Sequence, residues 1–462
     1  MNRLRKLFAV DKSFFRLLFT ISIPISLQGL ITFAVQLIDT MMLGHFGETT
    51  LSAAALATSF FTIVHCTCLG LSNGCVVITS QYWGKRELGP IRAMTSICLK
   101  LAVGITAVYA ILTYCFPSQI MAIYTSDADV IAEGVKYLRI LAFTFILDGI
   151  TVSSTAILRS FGNVRVALAS GIVACIVNCF CNWVFIFGKL GAPAMYISGA
   201  ALGTLIARVC EFAMVFGYLA FKDKTISFRL HHLRGFNREI FKKYLKVGLP
   251  VLFSDMLMII GSNLITIIIG HTGKMFTAAN NIASQISNVI FTLFMGISAA
   301  SAVLIGNSVG EGSYRKAYDQ GKALIGVCVI FSAIGGVILY LARIPIIDIF
   351  KVTAETKLYA SHIITVIACM LVIQLGDNLL TKGILRGGGD TKFLIVGDTV
   401  FTYFVSVPLG YMAAYKWGFP IWLTYFMLRT DMICKFVLCL WRFISKKWIR
   451  DATKSEIKQQ TI

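Results

Sequence analysis

Charged residues are scarce in this sequence: Asp, Glu, Lys and Arg make up 14% of its 462 residues, whereas 57% of the residues are apolar. Soluble globular domains carry about 25% charged residues, and the mean hydropathy of +0.78 points the same way. One bilayer crossing takes about 20 apolar residues, so the chain has material for roughly a dozen crossings. These proportions indicate an integral membrane protein and argue against soluble enzymes, nucleic-acid-binding proteins and secreted scaffolds.

Features of catalytic and cofactor-binding domains are also missing. There are 8 prolines and no polar low-complexity tract, and no soluble catalytic domain of about 100 residues fits between the apolar runs. The sequence contains no phosphate-binding loop of the G-x-x-x-x-G-K-[ST] type, no His-rich helix and no serine nucleophile motif. The thirteen cysteines lie almost wholly in apolar runs and lack metal-site spacing. We therefore expect neither an enzyme nor a cofactor, and no structural metal site.

Apolar runs without a sustained charge recur twelve times along the chain. A run of this length predicts a transmembrane helix, with boundaries uncertain by several residues. The predicted spans are residues 17–43, 52–83, 93–116, 137–158, 166–188, 197–221, 247–270, 276–308, 323–342, 358–381, 393–415 and 417–441.

The net charge of +20 is distributed unevenly between the two sides of the predicted membrane protein. With twelve spans, the segments on the side of the termini hold 30 of the 42 Lys and Arg residues, the opposite loops hold 8, and four lie inside spans. The positive-inside rule then places both termini in the cytoplasm and the chain in the cell membrane. The excess of basic residues is thus explained mainly by the topology of the chain. These residues also attract anionic lipid, and no nucleic-acid partner is expected.

An internal repeat relates the two halves of the chain. The segment 158–165 matches 385–392 at a displacement of 227, and another set of residues recurs at a displacement of 226. That second set is Pro24, Gly44, His45, Gly47 and Gly84, which recur as Pro250, Gly270, His271, Gly273 and Gly310. The repeat predicts an all-α membrane protein with twelve transmembrane helices in two pseudosymmetric six-helix bundles. We expect an N-terminal lobe at 1–221, a cytoplasmic connector at 222–246, and a C-terminal lobe and tail at 247–462.

Four sets of residues, in this order within the repeat, resemble the multidrug and toxic compound extrusion (MATE) family of transporters. They are Pro24, Gln28 and Ile38 to Gly44; the turn Leu158 to Asn163 with its repeat counterpart; Asn178 and Asn182 before Phe185 to Gly188; and Gly199 to Thr204. The resemblance covers nearly the whole chain. It implies an exporter of amphipathic organic cations and drugs by antiport with sodium or protons, and we expect it to act as a monomer among membrane lipids.

The resemblance also implies a coupling-ion and substrate site in the N-terminal half. In many bacterial members an acidic residue on the first helix and polar residues on the fifth and sixth form this site, and the matching positions here are Asp39, Asn178, Asn182 and Thr204. Several relatives carry Asp where this chain has Asn182. The site therefore keeps a single carboxylate, and the choice between sodium and proton stays open.

Physical arguments support Asp39 independently of the resemblance. An ionisable side chain inside a membrane costs about 2.5 to 3.5 kcal/mol on insertion scales and usually faces a cavity or a partner. The repeat counterpart of Asp39 is Ile265, so the shared fold does not need the carboxylate. The alternative is an aspartate in water at the outer interface, since Asp39 lies 23 residues after Arg16.

Asn178 and Asn182 are four residues apart and so share one face of a helix. Together with Thr204 they surround one carboxylate with neutral oxygens. This set of groups could bind sodium at Asp39, Asn178 and Asn182, or the carboxylate of Asp39 could take up a proton. The alternative is that the two asparagines only hydrogen-bond neighbouring helices together.

Asp255 and Asp377 are secondary candidates in the second half, where some family members place carboxylates for cation binding. Asp398 is six residues from Lys392, which predicts a position near the cytoplasmic surface, and Glu211 is spaced to pair with Arg208. The alternative function is a flippase for lipid-linked oligosaccharides. Flippases generally carry several cations in their central cavity, whereas the basic residues inside spans are few here.

Overall fold

The computed structural model describes residues 12–350 and 352–453, and every regular element in that part of the chain is helical. The first half contains six long helices and a short one, α4, which begins at a proline whose missing N–H costs nothing at a helix start. They are α1 (Lys12–Gly44), α2 (Glu48–Gly84), α3 (Leu88–Cys115), α4 (Pro117–Tyr124), α5 (Ala128–Ser160), α6 (Arg165–Phe187) and α7 (Tyr196–Gly217). A π-helical turn, Tyr218–Lys222, extends α7, and the connector contains a 3₁₀ turn at Leu230–Leu233.

The second half begins inside the connector and has the same order of long helices. It comprises α8 (Arg238–His271), α9 (Lys274–Gly310), α10 (Tyr314–Asp348), α11 (Ala354–Asn378), α12 (Thr391–Thr399), α13 (Val407–Tyr415), α14 (Ile421–Met427) and α15 (Thr430–Ile444). A π-helical turn, Leu379–Leu385, extends α11, and another, Val400–Ser406, joins α12 to α13.

Eleven helical segments within the described residues are long and apolar enough to cross a membrane. They correspond to the first eleven predicted spans. The twelfth predicted span, 417–441, consists of two helices, because α14 ends at Met427 and α15 begins at Thr430. The carbonyl of Leu428 accepts a hydrogen bond from Ser406 Oγ at 2.6 Å, so a neighbouring helix supplies a hydrogen-bond donor to it at the interruption. With α14 and α15 as the twelfth segment, the predicted all-α membrane fold of two six-helix repeats is confirmed.

The repeated turns after α5 and after the π-helical extension of α11 have the same backbone geometry. Gly162 and Gly389 have φ values of 84° and 86°. In both turns the glycine amide donates to the carbonyl three residues back, and the next amide donates to the carbonyl five residues back. This pattern is a Schellman C-cap, which needs a left-handed residue and therefore favours glycine. The tract 386–390 is thus a helix-ending turn, as its repeat position predicts.

The chain folds into two units, of which the first is the N-unit, residues 27–79 and 86–245. Its apolar core includes Phe145 and Leu138 of α5 and three alanines of α2, Ala53, Ala54 and Ala57. Small residues let helix backbones approach closely, which matters in a membrane because lipid is as apolar as the helix surfaces. The connector joins this unit through Arg92, whose Nε donates to the carbonyl of Ile226 at 2.6 Å.

The second unit, the C-unit, comprises the described residues of 1–26, 80–85 and 246–462. Its apolar core contains Ile265 and Ile363, and it also includes the beginning of α1 and the end of α2. A Cβ atom at Gly296 of α9 would lie 2.3 Å from the carbonyl oxygen of Ser22, so the beginning of α1 packs closely against α9. The boundaries of the two units therefore fall within α1 and α2. The two expected lobes, in contrast, are separated at the connector.

Candidate functional site

Asp39 lies near the end of α1, five residues before that helix ends at Gly44. Its Oδ1 accepts a hydrogen bond from Nδ2 of Asn182 on α6 at 2.6 Å. Asn182 is completely buried, whereas Asp39 is partly exposed. The carboxylate is thus held by a buried amide on another helix, which does not match an interfacial aspartate that meets water alone.

Asn178 and Asn182 lie on one face of α6, as their spacing predicts. Nδ2 of Asn182 also donates to Oδ1 of Asn178 at 3.2 Å, and Nδ2 of Asn178 lies 3.5 Å from Oγ1 of Thr204 on α7. The structure therefore brings all four predicted residues of the N-terminal half into one chain of contacts across α1, α6 and α7, within the N-unit. The same contacts also satisfy the alternative role of the asparagines as hydrogen bonds between helices.

The amide of Asn182 presents its nitrogen, not its oxygen, to Asp39. Its Oδ1 is buried and has no hydrogen-bond partner among the described residues. This oxygen lies against Gly203 of α7, where a Cβ atom would be only 2.2 Å away. Glycine at position 203 therefore leaves the space that this amide group occupies.

A cavity of about 110 Å³ adjoins these residues and has room for several water molecules. Asp39, Asn178 and Thr204 line it together with polar side chains of α1 and α5, including Gln36 and Tyr137. The Tyr137 side chain is buried. The sequence does not single out Tyr137, because a tyrosine in an apolar run gives no signal that separates a cavity position from packing.

Arg208 and Glu211 also line this cavity. Their predicted pairing on α7 is confirmed, with Arg208 NH1 2.6 Å from Glu211 Oε2. Arg208 NH1 also lies 3.7 Å from Oδ1 of Asp148, and Oδ2 of Asp148 lies 2.8 Å from His65 Nδ1. These four ionisable side chains lie on three helices. In the sequence, each could be recognised as a titratable residue inside an apolar run.

Asp255, a secondary candidate, pairs with the arginine of the repeated turn. NH2 and NH1 of Arg386 donate to Oδ1 and Oδ2 of Asp255 at 2.6 and 3.1 Å, and the exposed fraction of both side chains is low. A bidentate pair of this kind neutralises both charges and fixes their orientation. Asp255 therefore has a structural partner, which the sequence analysis did not foresee.

Asp377, the other secondary candidate, belongs to a buried cluster in the C-unit. Nζ of Lys435 on α15 lies 3.0 Å from Asp431, 3.7 Å from Asp398 and 4.0 Å from Asp377. Asp398 also accepts a hydrogen bond from Ser254 and is 8% exposed, so its predicted position near the cytoplasmic surface is not a solvated one. The cluster thus has three carboxylates around the ammonium group of Lys435, and Lys382 and Arg429 lie near enough to interact with Asp377 and Asp431.

The residues around Asp39 supply several oxygen atoms, and the nitrogen of Asn182 lies between two of them. Carboxylate, amide and hydroxyl oxygens of Asp39, Asn178 and Thr204 are ligands of the kind that hard cations prefer. Among the described residues no group of three His, Cys, Asp or Glu side chains is placed to hold a metal ion. A sodium ion there would depend on one carboxylate and neutral oxygens, as the sequence predicts.

Comparisons with known proteins agree with this architecture. The probable multidrug resistance protein NorM of Agrobacterium fabrum is 23% identical over 88% of each chain, and the uncharacterized transporter YisQ of Bacillus subtilis is 23% identical over 95% of this chain and 96% of its own. A solved structure described as the outward-facing conformation of a multidrug resistance MATE family transporter of the MOP superfamily has a TM-score of 0.84 at 18% identity, covering 93% of this chain and 96% of its own.

The MatE family profile matches the chain twice, at residues 24–184 and 250–412. The two matches begin at Pro24 and Pro250, the first residues of the internal repeat found in the sequence. The chain therefore belongs to the MatE family, the multidrug and toxic compound extrusion transporters.

Proposed function

We propose that this protein is a secondary active efflux transporter that exports amphipathic organic cations and drugs by antiport with sodium or protons. The observation that carries the proposal is the single carboxylate of Asp39, held by Asn182 beside a cavity inside the membrane-spanning part of the N-unit. Its repeat counterpart, Ile265, is buried in an apolar core. A charge kept in one repeat and not in the other serves a purpose other than the shared fold.

Cation binding at this site requires the Asn182 amide to turn over. The amide nitrogen now donates to Oδ1 of both Asp39 and Asn178, in the place between two oxygens that a cation would take. A rotation of about 180° about the last side-chain bond would exchange nitrogen for oxygen and supply a further ligand. A proton on Asp39 favours the same rotation, because a protonated carboxyl group can donate to the amide oxygen.

The balance of buried charge supports a cationic substrate. Around the N-unit cavity, Asp39, Glu211 and the neighbouring Asp148 face the guanidinium group of Arg208, and His65 contacts Asp148 at 2.8 Å. An excess of negative charge in a medium of low dielectric attracts cations and opposes anions.

The same balance argues against a flippase of lipid-linked oligosaccharides. A cavity for an anionic headgroup needs several cations that are free to meet it, whereas three cations inside the helices are paired: Arg208 with Glu211, Arg386 with Asp255, and Lys435 with Asp431. An anion would have to displace a carboxylate at each of these cations. We therefore favour export of organic cations over movement of an anionic lipid.

The expected location is the cell membrane, with both termini in the cytoplasm. The excess of basic residues on the side of the termini supports this orientation. No contact with a second copy is needed to complete the Asp39 site, because all its described residues lie in the N-unit of one chain. A monomer is therefore the expected transporting unit.

Transport of ethidium in proteoliposomes, with sodium and proton gradients imposed separately and without ATP, tests this function. We expect inward movement of one of the two ions to drive ethidium against its gradient. Asp129→Asn, which neutralises an exposed acid at the start of α5, is the matched control for the Asp39 site. Ethidium movement that needs neither gradient, or movement of a lipid-linked sugar analogue instead, would contradict the proposal.

A further inference from the structure

A groove with basic walls lies between the beginning of α3 and the connector, both within the N-unit. Its volume is about 630 Å³. Arg92 lines it from α3, and His231, His232 and Arg238 line it from the connector. The groove and the cavity beside Asp39 have no lining residue in common. The groove is therefore a separate feature from the candidate transport site.

Two cations of α3 attach the connector to that helix and so fix the walls of the groove. Arg92 Nε donates to the carbonyl of Ile226 at 2.6 Å, and Lys100 Nζ donates to the carbonyl of Gly235 at 2.7 Å. Arg92 and Lys100 are eight residues apart, just over two helical turns, and both reach the connector from α3. Gly89, one turn before Ala93 on α3, leaves open space where a side chain would stand.

The charge in the groove is predominantly positive. Arg92, Arg238 and the two histidines are accompanied by one lining carboxylate, that of Glu239. The ring centroids of His231 and His232 are 4.0 Å apart. Burial lowers the pKa of His232, a hydrogen bond with the backbone of Arg229 raises it, and the nearby guanidinium groups of Arg92 and Arg229 lower it. The two lining arginines, Arg92 and Arg238, therefore give the groove a positive potential that a bound anion would offset.

Backbone amides at the beginning of α8 do not supply this site. The side-chain oxygen of Asn237 already accepts from the backbone N–H groups of Glu239 and Ile240, at 3.0 and 3.1 Å. An anion in the groove would thus be held by the side chains of Arg92 and Arg238, with the histidine rings as further donors.

Exposed apolar side chains accompany the cations of this part of the chain. The exposed fraction is 60% for Phe236, which lines the groove, 45% for Leu230, which precedes the lining residue His231, and 66% for Phe221. Phe221 lies at the end of the membrane-crossing segment that contains α7, and Phe236 lies two residues before the membrane-crossing helix α8. Exposed aromatic and apolar groups next to cations are typical of the lipid–water interface. A free phosphate ion would use the cations and leave these apolar groups unused.

We propose that this groove binds the headgroup of an anionic phospholipid, with the phosphate between Arg92 and Arg238 and the acyl chains along Phe236 and Leu230. The ligand bridges α3 and the beginning of α8, and so adds to the attachment of the connector. Nothing in this site depends on which ion or drug the protein transports.

Native mass spectrometry of the full-length protein in a neutral detergent tests the site directly. Dioleoyl phosphatidylglycerol and dioleoyl phosphatidylcholine are titrated in parallel, and bound lipid is counted. We expect the anionic lipid to bind with one site that is tighter than the rest, and Arg92→Gln/Arg238→Gln to weaken that site by about thirtyfold, from the loss of two cations near a phosphate. Arg92→Lys/Arg238→Lys keeps both charges and should keep the site, which separates charge from misfolding.

Arg315→Gln/Lys392→Gln is the matched control, because it removes two exposed cations from other segments on the same predicted side. An equal loss of lipid in this control would overturn the proposal in favour of diffuse attraction to the whole surface. Equal binding of the two lipids would overturn it as well. Complete competition by inorganic phosphate or glycerol 3-phosphate at the lipid's own concentration would show a site for soluble phosphate instead of a lipid.

Discussion

Asp39 and Ile265 occupy equivalent positions of the two repeats, yet one carries a carboxylate and the other packs in an apolar core. Asp39→Asn keeps the size of the side chain and can still accept a hydrogen bond from Asn182. We therefore expect the variant to express and fold normally but to lose gradient-driven ethidium efflux by on the order of tenfold or more, because no charge remains to bind the ion. Initial efflux rates in proteoliposomes measure this loss. Wild-type efflux in Asp39→Asn would mean that the carboxylate has no part in coupling.

Gly203 controls the amide of Asn182 through a steric contact. In Gly203→Ala the new methyl group would lie 2.2 Å from the amide oxygen, so the amide of Asn182 must shift, which disturbs its hydrogen bond to Asp39. We expect the ion concentration for half-maximal transport to rise by about tenfold, equivalent to about 1.4 kcal/mol. Gly217→Ala on the same helix is the control, since nothing lies within 4 Å of its added methyl group. Equal behaviour of the two alanine variants would refute the steric argument.

The residues of the site were predictable to different degrees. Asp39, Asn178, Asn182 and Thr204 follow from the family motifs, and the i, i+4 spacing of the asparagines predicts their contact. The direction of the Asn182 amide could not be predicted, because it depends on the packing of α7 against α6 at Gly203. Spacing along one helix likewise cannot show that Lys435 reaches carboxylates on other helices.

Helix α15 carries the cation that holds the C-unit cluster together. Lys435 and Asp431 are one turn apart on α15, while Asp377 and Asp398 come from α11 and α12. A protein is strongly destabilised when a buried carboxylate loses its partner, whereas removing both charges of a pair often leaves the stability of the protein nearly unchanged. The position of α15 after the interruption at residues 428–429 is thus tied to this charge cluster.

Lys435→Met should destabilise the protein by roughly 3 to 5 kcal/mol, because three buried carboxylates then lack their ammonium group. The thermal midpoint in detergent measures this effect. Adding Asp431→Asn to Lys435→Met removes one of the uncompensated charges, so we expect the double variant to regain part of the lost midpoint. Lys392→Met changes an exposed lysine and should leave the midpoint unchanged. A Lys435→Met protein as stable as the wild type would show that the cluster carries little net negative charge.

The orientation of the whole chain can be tested with a cysteine that it already contains. Cys115 is exposed at the last residue of α3, on the side opposite the connector, and Cys369 is exposed in the middle of α11. If both termini are cytoplasmic, a membrane-impermeant maleimide should label Cys115 in intact cells, and Cys115→Ser should abolish this labelling. A cysteine introduced by Arg315→Cys should react only after lysis. Labelling of position 315 in intact cells would reverse the topology.

Most of the molecule's architecture was predictable because membrane burial leaves a strong pattern in the sequence. Eleven predicted spans correspond to continuous helices, and the repeated turns at Gly162 and Gly389 share one cap. The interruption of the twelfth span was not predictable from hydropathy, because the hydrogen bond from Ser406 to Leu428 connects residues that are 22 positions apart. The beginning of α1 likewise packs in the C-unit because of its close approach to α9, which no local pattern records.

The nitrogen of Asn182 between Asp39 and Asn178 also has a kinetic consequence. When an ion leaves a buried carboxylate, the barrier normally includes the cost of a charge that is briefly without a partner. Here an N–H group on the adjacent side chain can take the ion's place as the ion departs, so that release becomes a replacement of one partner by another. Binding follows the same path in reverse, through the turning of one amide and without separation of helices. Ion exchange at this site should therefore be fast compared with the transport cycle, and the slow step should lie in the movement of the protein.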